Sequence, residues 1–146
     1  MTLASSETVP PDRAHPSRDL RWSAVLTISL VGTCVVVAYA SLAYLQILVL
    51  NPLTAVPNKS LEAIWGEVVR FQGEHDGPTA FVTLALGPLL AFGLLFCAIV
   101  WLRKRPWLVA ASYLTLLVFG TPAYALASFS PGMNLADTFG IDGGGP

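Results

Sequence analysis

Charged residues are scarce in this sequence. Aspartate, glutamate, lysine and arginine make up 12% of the 146 residues, about half the roughly 25% that is usual in soluble globular domains. The net charge is −1, so the chain lacks the basic character on which nucleic-acid binding depends. This composition argues against a soluble enzyme with an ordinary polar surface, and we expect no nucleic-acid partner.

Side chains that carry chemistry are equally few. Histidine occurs only at His15 and His75, outside the long apolar runs, so an intramembrane haem would lack its axial ligands. The triplet Glu74–Asp76 has metal-binding side chains, but adjacent residues rarely converge on one ion, and we interpret it as a solvated turn. Cys34 and Cys97 are interpreted as small buried apolar residues. Without a Gly-x-Ser-x-Gly motif or a phosphate-binding glycine loop, we expect no catalysis, no metal and no other cofactor.

Long uncharged runs are what the sequence has instead. Hydrophobic residues make up 54% of the chain, and its mean hydropathy is +0.64. Residues 20–50, 78–102 and 106–127 contain a single charge, Arg21. About 20 apolar residues cross a hydrocarbon core of about 30 Å, and a lone spanning segment has to be helical to pair its backbone groups. We predict an all-α membrane protein in which residues 20–127 form three transmembrane helices.

The alternative for the first run is a cleaved secretion signal. Ala38-Tyr39-Ala40 has the small-x-small pattern of a cleavage site, and Arg18 and Arg21 precede the run. A signal core has about 7–15 residues, however, and the apolar run continues past Tyr44. We therefore interpret the first run as an uncleaved helix.

Basic residues predict the orientation. On one side of the three predicted spans lie six of them: Arg13, Arg18, Arg21, Arg103, Lys104 and Arg105. The other side has Lys59 and Arg70. Because basic loops stay in the cytoplasm, we expect a cytoplasmic N-terminus and an extracytoplasmic C-terminus, with the turn 103–105 as the topology determinant. Trp22, Trp101 and Trp107 fall at the same predicted interface and are expected to act as interfacial anchors.

The two ends of the chain lack the features of a folded segment. Residues 1–19 contain three prolines and three serines, and we predict a disordered cytoplasmic tail. Residues 128–146 end in Gly-Gly-Gly-Pro and are predicted to form a flexible extracytoplasmic tail.

The segment between the first two runs has the pattern of a short amphipathic helix over residues 59–72. Asn58 or Ser60 is expected to cap the helix. Apolar residues recur in it at helical spacing, and they are Leu61, Ile64, Trp65 and Val68. The helix is predicted on the extracytoplasmic side. It either lies on lipid with Trp65 as an interfacial anchor, which we favour because no partner is needed, or docks a partner protein.

Small residues in the second run predict where helices touch. Thr83, Gly87 and Ala91 recur every four residues and share one face, which allows two backbones to approach closely. Gly32 and Ala40 of the first run are the candidate packing partners, and a second copy of the chain is the alternative.

Prolines predict helix ends and bends. A proline lacks the amide of the helical hydrogen bond and clashes with the preceding turn. Asn51-Pro52 is therefore expected to end the first helix, and Pro88 and Pro122 are expected to kink the second and third.

Four segments carry a resemblance: NPLTAVP (51–57), SLEAIW (60–65), LGPLLA (86–91) and SFSPGMNLADTF (128–139). Together they look like a group of uncharacterised small integral membrane proteins of high-GC Gram-positive bacteria. The resemblance covers roughly residues 20–142. It implies a bacterial plasma membrane and brings no activity with it.

We expect a structural or accessory subunit that packs in the lipid bilayer against itself or another membrane protein. The alternative is a component of an oligomeric channel or transporter for a neutral solute. The absence of ionisable residues inside the spans counts against transport, but a pore lined by Thr and Ser stays open.

Overall fold

The computed structural model describes residues 17–73 and 77–141, with side chains from residue 20 onward, and all regular structure in them is helical. In chain order the elements are α1 (Ser17–Leu45), a π-helical segment (Gln46–Leu50), α2 (Asn51–Ala55), α3 (Leu61–Gln72), α4 (Gly77–Val100) and α5 (Pro106–Phe139). The predictions for residues 1–16, for the turn Glu74–Asp76 and for residues 142–146 lie outside the described residues.

Three helical stretches are long and apolar enough to cross a membrane: Leu20–Ala55, Gly77–Val100 and Pro106–Phe139, with 36, 24 and 34 residues. Each of them packs against the other two. The predicted all-α fold with three spanning helices is confirmed, and the chain is a multi-pass membrane protein.

The first spanning helix does not end at Asn51-Pro52, and that prediction is wrong. The helix widens to π-type hydrogen bonding over Gln46–Leu50, where the Asn51 amide donates to the Gln46 carbonyl five residues back. A proline ring clashes with the preceding turn of an α-helix, and a wider turn relieves that clash. The helix therefore passes Pro52 and ends before Val56, whose φ of −124° and ψ of 79° are not helical.

The third spanning helix is also longer than predicted. α5 runs to Phe139, so the prediction of a flexible tail is wrong for residues 128–139. The prediction rested on the Gly-Gly-Gly-Pro sequence at residues 143–146. In residues 128–139, however, residues spaced by four share one helical face, and burial of such a face stabilises a helix more than propensity does. The buried face consists of Ala127, Pro131 and Leu135. The helix ends at Gly140, which has the left-handed φ of 59° that glycine adopts readily.

α3 lies within the segment predicted to be an amphipathic helix. It follows Asn58, which has a left-handed φ of 71°. The Ser60 hydroxyl accepts a hydrogen bond from the Ala63 amide at 3.3 Å, so Ser60, rather than Asn58, caps the helix. Gly73, with a φ of 82°, ends it. The side of the membrane on which α3 lies stays a prediction.

The lengths of the spans explain where α3 packs. At about 1.5 Å per residue, the stretches of 36 and 34 residues measure about 54 and 51 Å, against about 36 Å for α4. Trp22 near the start of α1 contacts Arg103 just after α4, so the excess length lies at the opposite end. α3 fills the space there, and its face joins the core made by the two longer helices: Ile64, Trp65 and Val68 pack with Ile47, Leu48 and Leu135.

This packing corrects the interpretation of the amphipathic face. We expected that face to lie on lipid with Trp65 as an anchor, or to dock a partner. The structure buries it within the same chain, and Trp65 is only 8% exposed. The physical reason is that the projecting ends of the first and third spanning stretches carry apolar side chains that would otherwise face water or headgroups.

Candidate functional site

The hydroxyl of Tyr113 on α5 joins all three spanning helices. It lies 2.8 Å from the Thr33 hydroxyl on α1 and 3.1 Å from the Ala91 carbonyl oxygen on α4. A carbonyl oxygen can only accept, so the single phenolic proton is donated to Ala91, and Thr33 donates its own proton to Tyr113. All three residues are buried. Together with Ser29 they are called the polar seam below.

Gly32 makes room for the Tyr113 ring. A Cβ atom added at Gly32 would lie 2.6 Å from Cγ of Tyr113, closer than side-chain atoms approach one another. Gly32 was expected to face the small residues of α4, and the structure places it against α5 instead. The sequence pattern did not predict a role for Tyr113. The available signal was a tyrosine in the middle of a span, because its hydroxyl needs a hydrogen-bond partner in an apolar setting.

Ser29 is fully buried on α1, four residues before Thr33 and therefore on the same helical face. Its hydroxyl has no hydrogen-bond partner among the described residues. Ser112 on α5, by contrast, donates to the Leu108 carbonyl four residues back at 2.9 Å. An unpaired buried hydroxyl is unfavourable by about 1–3 kcal/mol.

The small-residue stripe predicted on α4 lies between helices, but its members pack unequally. Ala91 is fully buried. Thr83 and Gly87, together with Ala40 of α1, line an internal cavity of about 40 Å³ among the three spans. A Cβ atom added at Gly87 would meet its nearest side chain at 3.8 Å, an ordinary van der Waals distance. The close approach that the stripe predicted is therefore found at Gly32 and not at Gly87.

The prolines inside helices have different surroundings. α4 and α5 continue through Pro88 and Pro122, and the kinks expected at these positions stay predictions. At Pro52 the structure supplies a substitute for the missing amide. The carbonyl of Leu48, four residues before Pro52, accepts a hydrogen bond from the indole Nε1 of Trp65 at 3.0 Å.

The basic turn between α4 and α5 meets the start of α1. The guanidinium carbon of Arg103 lies 4.6 Å from the centroid of the Trp22 ring, within the range of a cation–π interaction. Its Nε donates to the Ile99 carbonyl, in the last turn of α4, where carbonyl groups lack helical partners. The neighbouring basic side chains are exposed. The basic end is defined as Arg21, Trp22, Arg103, Lys104 and Arg105.

Three of the four predicted interfacial anchors lie at this end. Trp101 and Trp107 are 83% and 67% exposed, and Trp22 is half-buried beneath Arg103. Indole rings favour the boundary between headgroups and hydrocarbon, so the described positions suit that role. Trp65 is the exception, because its ring is inside the protein.

The opposite end carries charges of both signs, and one pair of them is in contact. Lys59 Nζ lies 2.7 Å from each carboxylate oxygen of Glu67 and 4.8 Å from the centroid of the Phe139 ring. The described carboxylates all belong to α3 or to the end of α5: Glu62, Glu67 and Asp137. Among the described side chains, the two ends therefore differ in electrostatic character: one has charges of both signs, and the other has basic charges alone.

The described residues offer little for catalysis. None of their His, Cys, Asp and Glu side chains form a group of three that could hold a metal ion, and none of the described charged side chains is buried. The small cavity of about 40 Å³ has room for about three water molecules. A larger groove of about 330 Å³ between α1 and α4 is lined by Ala40, Ser41, Tyr44, Phe81, Leu84, Ala85 and Pro88. Comparison with protein-family models, with curated proteins and with solved structures finds no match to the chain.

Proposed function

We propose that this protein is a structural or accessory subunit of the bacterial plasma membrane, with no catalytic activity of its own. One observation carries the proposal: every described charged side chain lies toward one of the two ends of the bundle, and the polar seam joins the three spans between those ends. Ion pumps and proton-coupled carriers depend on ionisable groups within the membrane. A bundle of this kind is suited to holding a fixed shape against a partner.

We also propose that the N-terminus is cytoplasmic and the C-terminus extracytoplasmic. The six-to-two distribution of basic residues supports this orientation. The contact between Trp22 and Arg103 adds support, because it gathers the basic residues of two separate segments at one end of the bundle. α3, which carries two carboxylates and one arginine, then belongs to the extracytoplasmic side.

The lipid-facing surface of the spans is the surface on which a partner would pack. Lipid tails are as apolar as leucine, so a partner has to compete with lipid through shape and close packing. The large exposed side chains of this face include Phe81, Leu89, Phe92 and Phe96 on α4 and Val118, Leu126 and Phe129 on α5. The partner is another membrane protein or a second copy of the chain.

Site-specific photocrosslinking in membranes tests the subunit role. A photoreactive amino acid at Phe92 or Phe129, which are 56% and 69% exposed, is expected to give a discrete protein adduct from one of the two faces. The same amino acid at Val109, which is fully buried, is the control and should give none. The adduct partner should also copurify in mild detergent at fixed stoichiometry. Absence of adducts from both exposed faces, with a single-chain mass in detergent, would contradict the proposal.

The alternative is an oligomeric channel or transporter for a neutral solute, lined by hydroxyl groups. Hydroxyls on the described spans are largely paired within their own helices: Ser41, Thr83 and Thr115 donate to carbonyls four residues back at 2.8–2.9 Å. Glycerol flux into liposomes containing the purified protein separates the two functions. Flux above that of protein-free liposomes supports the alternative, and its absence supports the subunit role.

A further inference from the structure

The basic end contains side-chain contacts that are not needed to set the orientation of the protein in the membrane. Charge is sufficient for the positive-inside rule, yet Arg103 is held by two separate contacts. Its Nε donates to the Ile99 carbonyl, and its guanidinium group stacks on the face of Trp22. These contacts leave both Nη nitrogens without a partner among the described residues. A guanidinium group fixed in this way is prepared to bind an oxyanion through parallel hydrogen bonds.

Among the side chains that the structure describes, no carboxylate lies within ion-pair distance of Arg103. Lys104 and Arg105 follow Arg103 in the chain, Arg21 precedes Trp22, and all three side chains are exposed. The contrast with Lys59 is informative, because that lysine is neutralised by a carboxylate at 2.7 Å. The described acidic side chains all lie toward the α3 end: Glu62, Glu67 and Asp137. Among the described side chains, the charge of the basic end is therefore not neutralised by a carboxylate.

The position of the basic end selects the class of anion. It lies where α4 ends and α5 begins, beside the highly exposed rings of Trp101 and Trp107, and indole rings favour headgroup depth. The phosphates of phospholipids occupy the same depth, and anionic lipids attract basic residues next to a span. We propose that the basic end binds the headgroup of an anionic phospholipid. Arg103, oriented by Trp22, contacts the phosphate, and Lys104 and Arg105 add attraction.

Lipid binding to the purified full-length protein tests the proposal. The protein is titrated in neutral detergent with phosphatidylglycerol or phosphatidylcholine, and bound lipid is counted by native mass spectrometry. Wild type is expected to prefer phosphatidylglycerol by about tenfold or more, given the number of basic residues at the site. Arg103→Gln should remove most of this preference. Arg70→Gln is the matched control, because it removes an exposed arginine at the α3 end and should leave the preference unchanged.

Trp22→Leu separates a formed site from diffuse attraction, because it keeps every charge. Loss of the cation–π contact is expected to weaken phosphatidylglycerol binding by about two- to fivefold. Equal binding of the two lipids by wild type would overturn the proposal. An equal effect of Arg103→Gln and Arg70→Gln, or no effect of Trp22→Leu, would overturn it as well. Displacement of bound phosphatidylglycerol by millimolar inorganic phosphate would reassign the site to the free ion. Circular dichroism of each variant checks that the helices are retained.

Discussion

The indole Nε1 of Trp65 lies 3.0 Å from the backbone oxygen of Leu48, and this hydrogen bond ties α3 to the first spanning helix. Pro52 follows Leu48 by four residues and has no amide to offer its carbonyl. Both Trp65 and Leu48 are buried, and a polar group in such an apolar core is unfavourable unless it is hydrogen-bonded. The bond therefore explains how the helix passes a proline and why α3 is held at its side.

Replacing Trp65 by phenylalanine removes the donor and keeps an aromatic ring. The Leu48 carbonyl then loses this partner, and we expect the free energy of unfolding to fall by about 1–3 kcal/mol. Thermal unfolding in detergent measures the loss, and hydrogen exchange should accelerate over residues 61–72. Trp107→Phe is the control, because that ring is 67% exposed. Unchanged exchange in α3 would mean that the bond does not hold the helix.

Gly32→Ala tests the contact between Gly32 and Tyr113. The new methyl group would lie 2.6 Å from Cγ of the ring, and overpacking of this kind is expected to cost about 1–3 kcal/mol of stability. Gly93→Ala on α4 is the matched control, because a Cβ there meets nothing within 4 Å. That variant should be neutral or more stable by up to about 1 kcal/mol, since alanine has the higher helix propensity. Equal melting temperatures for the two variants would contradict the packing described.

A double-mutant cycle on Thr33 and Tyr113 measures the interaction free energy between their two hydroxyl groups in the polar seam. Thr33→Val and Tyr113→Phe each remove one hydroxyl of the 2.8 Å pair, and the double variant is expected to lose less stability than the two single variants combined. The coupling should be about 0.6 kcal/mol and at most about 1.7, the range found for hydrogen bonds between membrane helices. Tyr39→Phe is the control, because no described hydrogen bond involves its hydroxyl. Strict additivity would show that the two hydroxyls do not interact.

Ser29→Ala is expected to stabilise the protein. The hydroxyl is buried and has no described partner, so its removal relieves a penalty of about 1–3 kcal/mol. Ser112→Ala should have the opposite effect or none, because that hydroxyl is bonded to the Leu108 carbonyl at 2.9 Å. The melting temperatures of the two variants and of the wild type, measured in the same detergent, test this prediction. A lower melting temperature for Ser29→Ala would be the contrary result.

Reporter fusions test the proposed orientation. A reporter after Pro146 is expected to be active only outside the cytoplasm, and one within the turn 103–105 only inside. Replacing Arg103, Lys104 and Arg105 by glutamine removes half of the six basic residues on the inner side, so the orientation should become mixed. The reverse reporter pattern in the wild type would overturn it.

The candidate site was predictable in part. The basic turn and its tryptophans were visible because charge and aromaticity are read directly from the residues. The stripe of Thr83, Gly87 and Ala91 was also visible, since spacing alone places residues on one helical face. Tyr113 was missed, because its partner Thr33 is 80 residues away in the chain and periodicity within one helix carries no information about such a pair.

The sequence by itself determined the class of protein and the number of spans, because partition into a membrane depends on apolar length and charge, which are local properties. Only the tertiary structure decided that the first helix passes Pro52, that α5 reaches Phe139 and that Trp65 faces inward. Each of these depends on a partner remote in sequence, as Trp65 depends on a carbonyl 17 residues earlier. Local propensity favours a break at a proline, and burial against a neighbouring helix outweighs that preference.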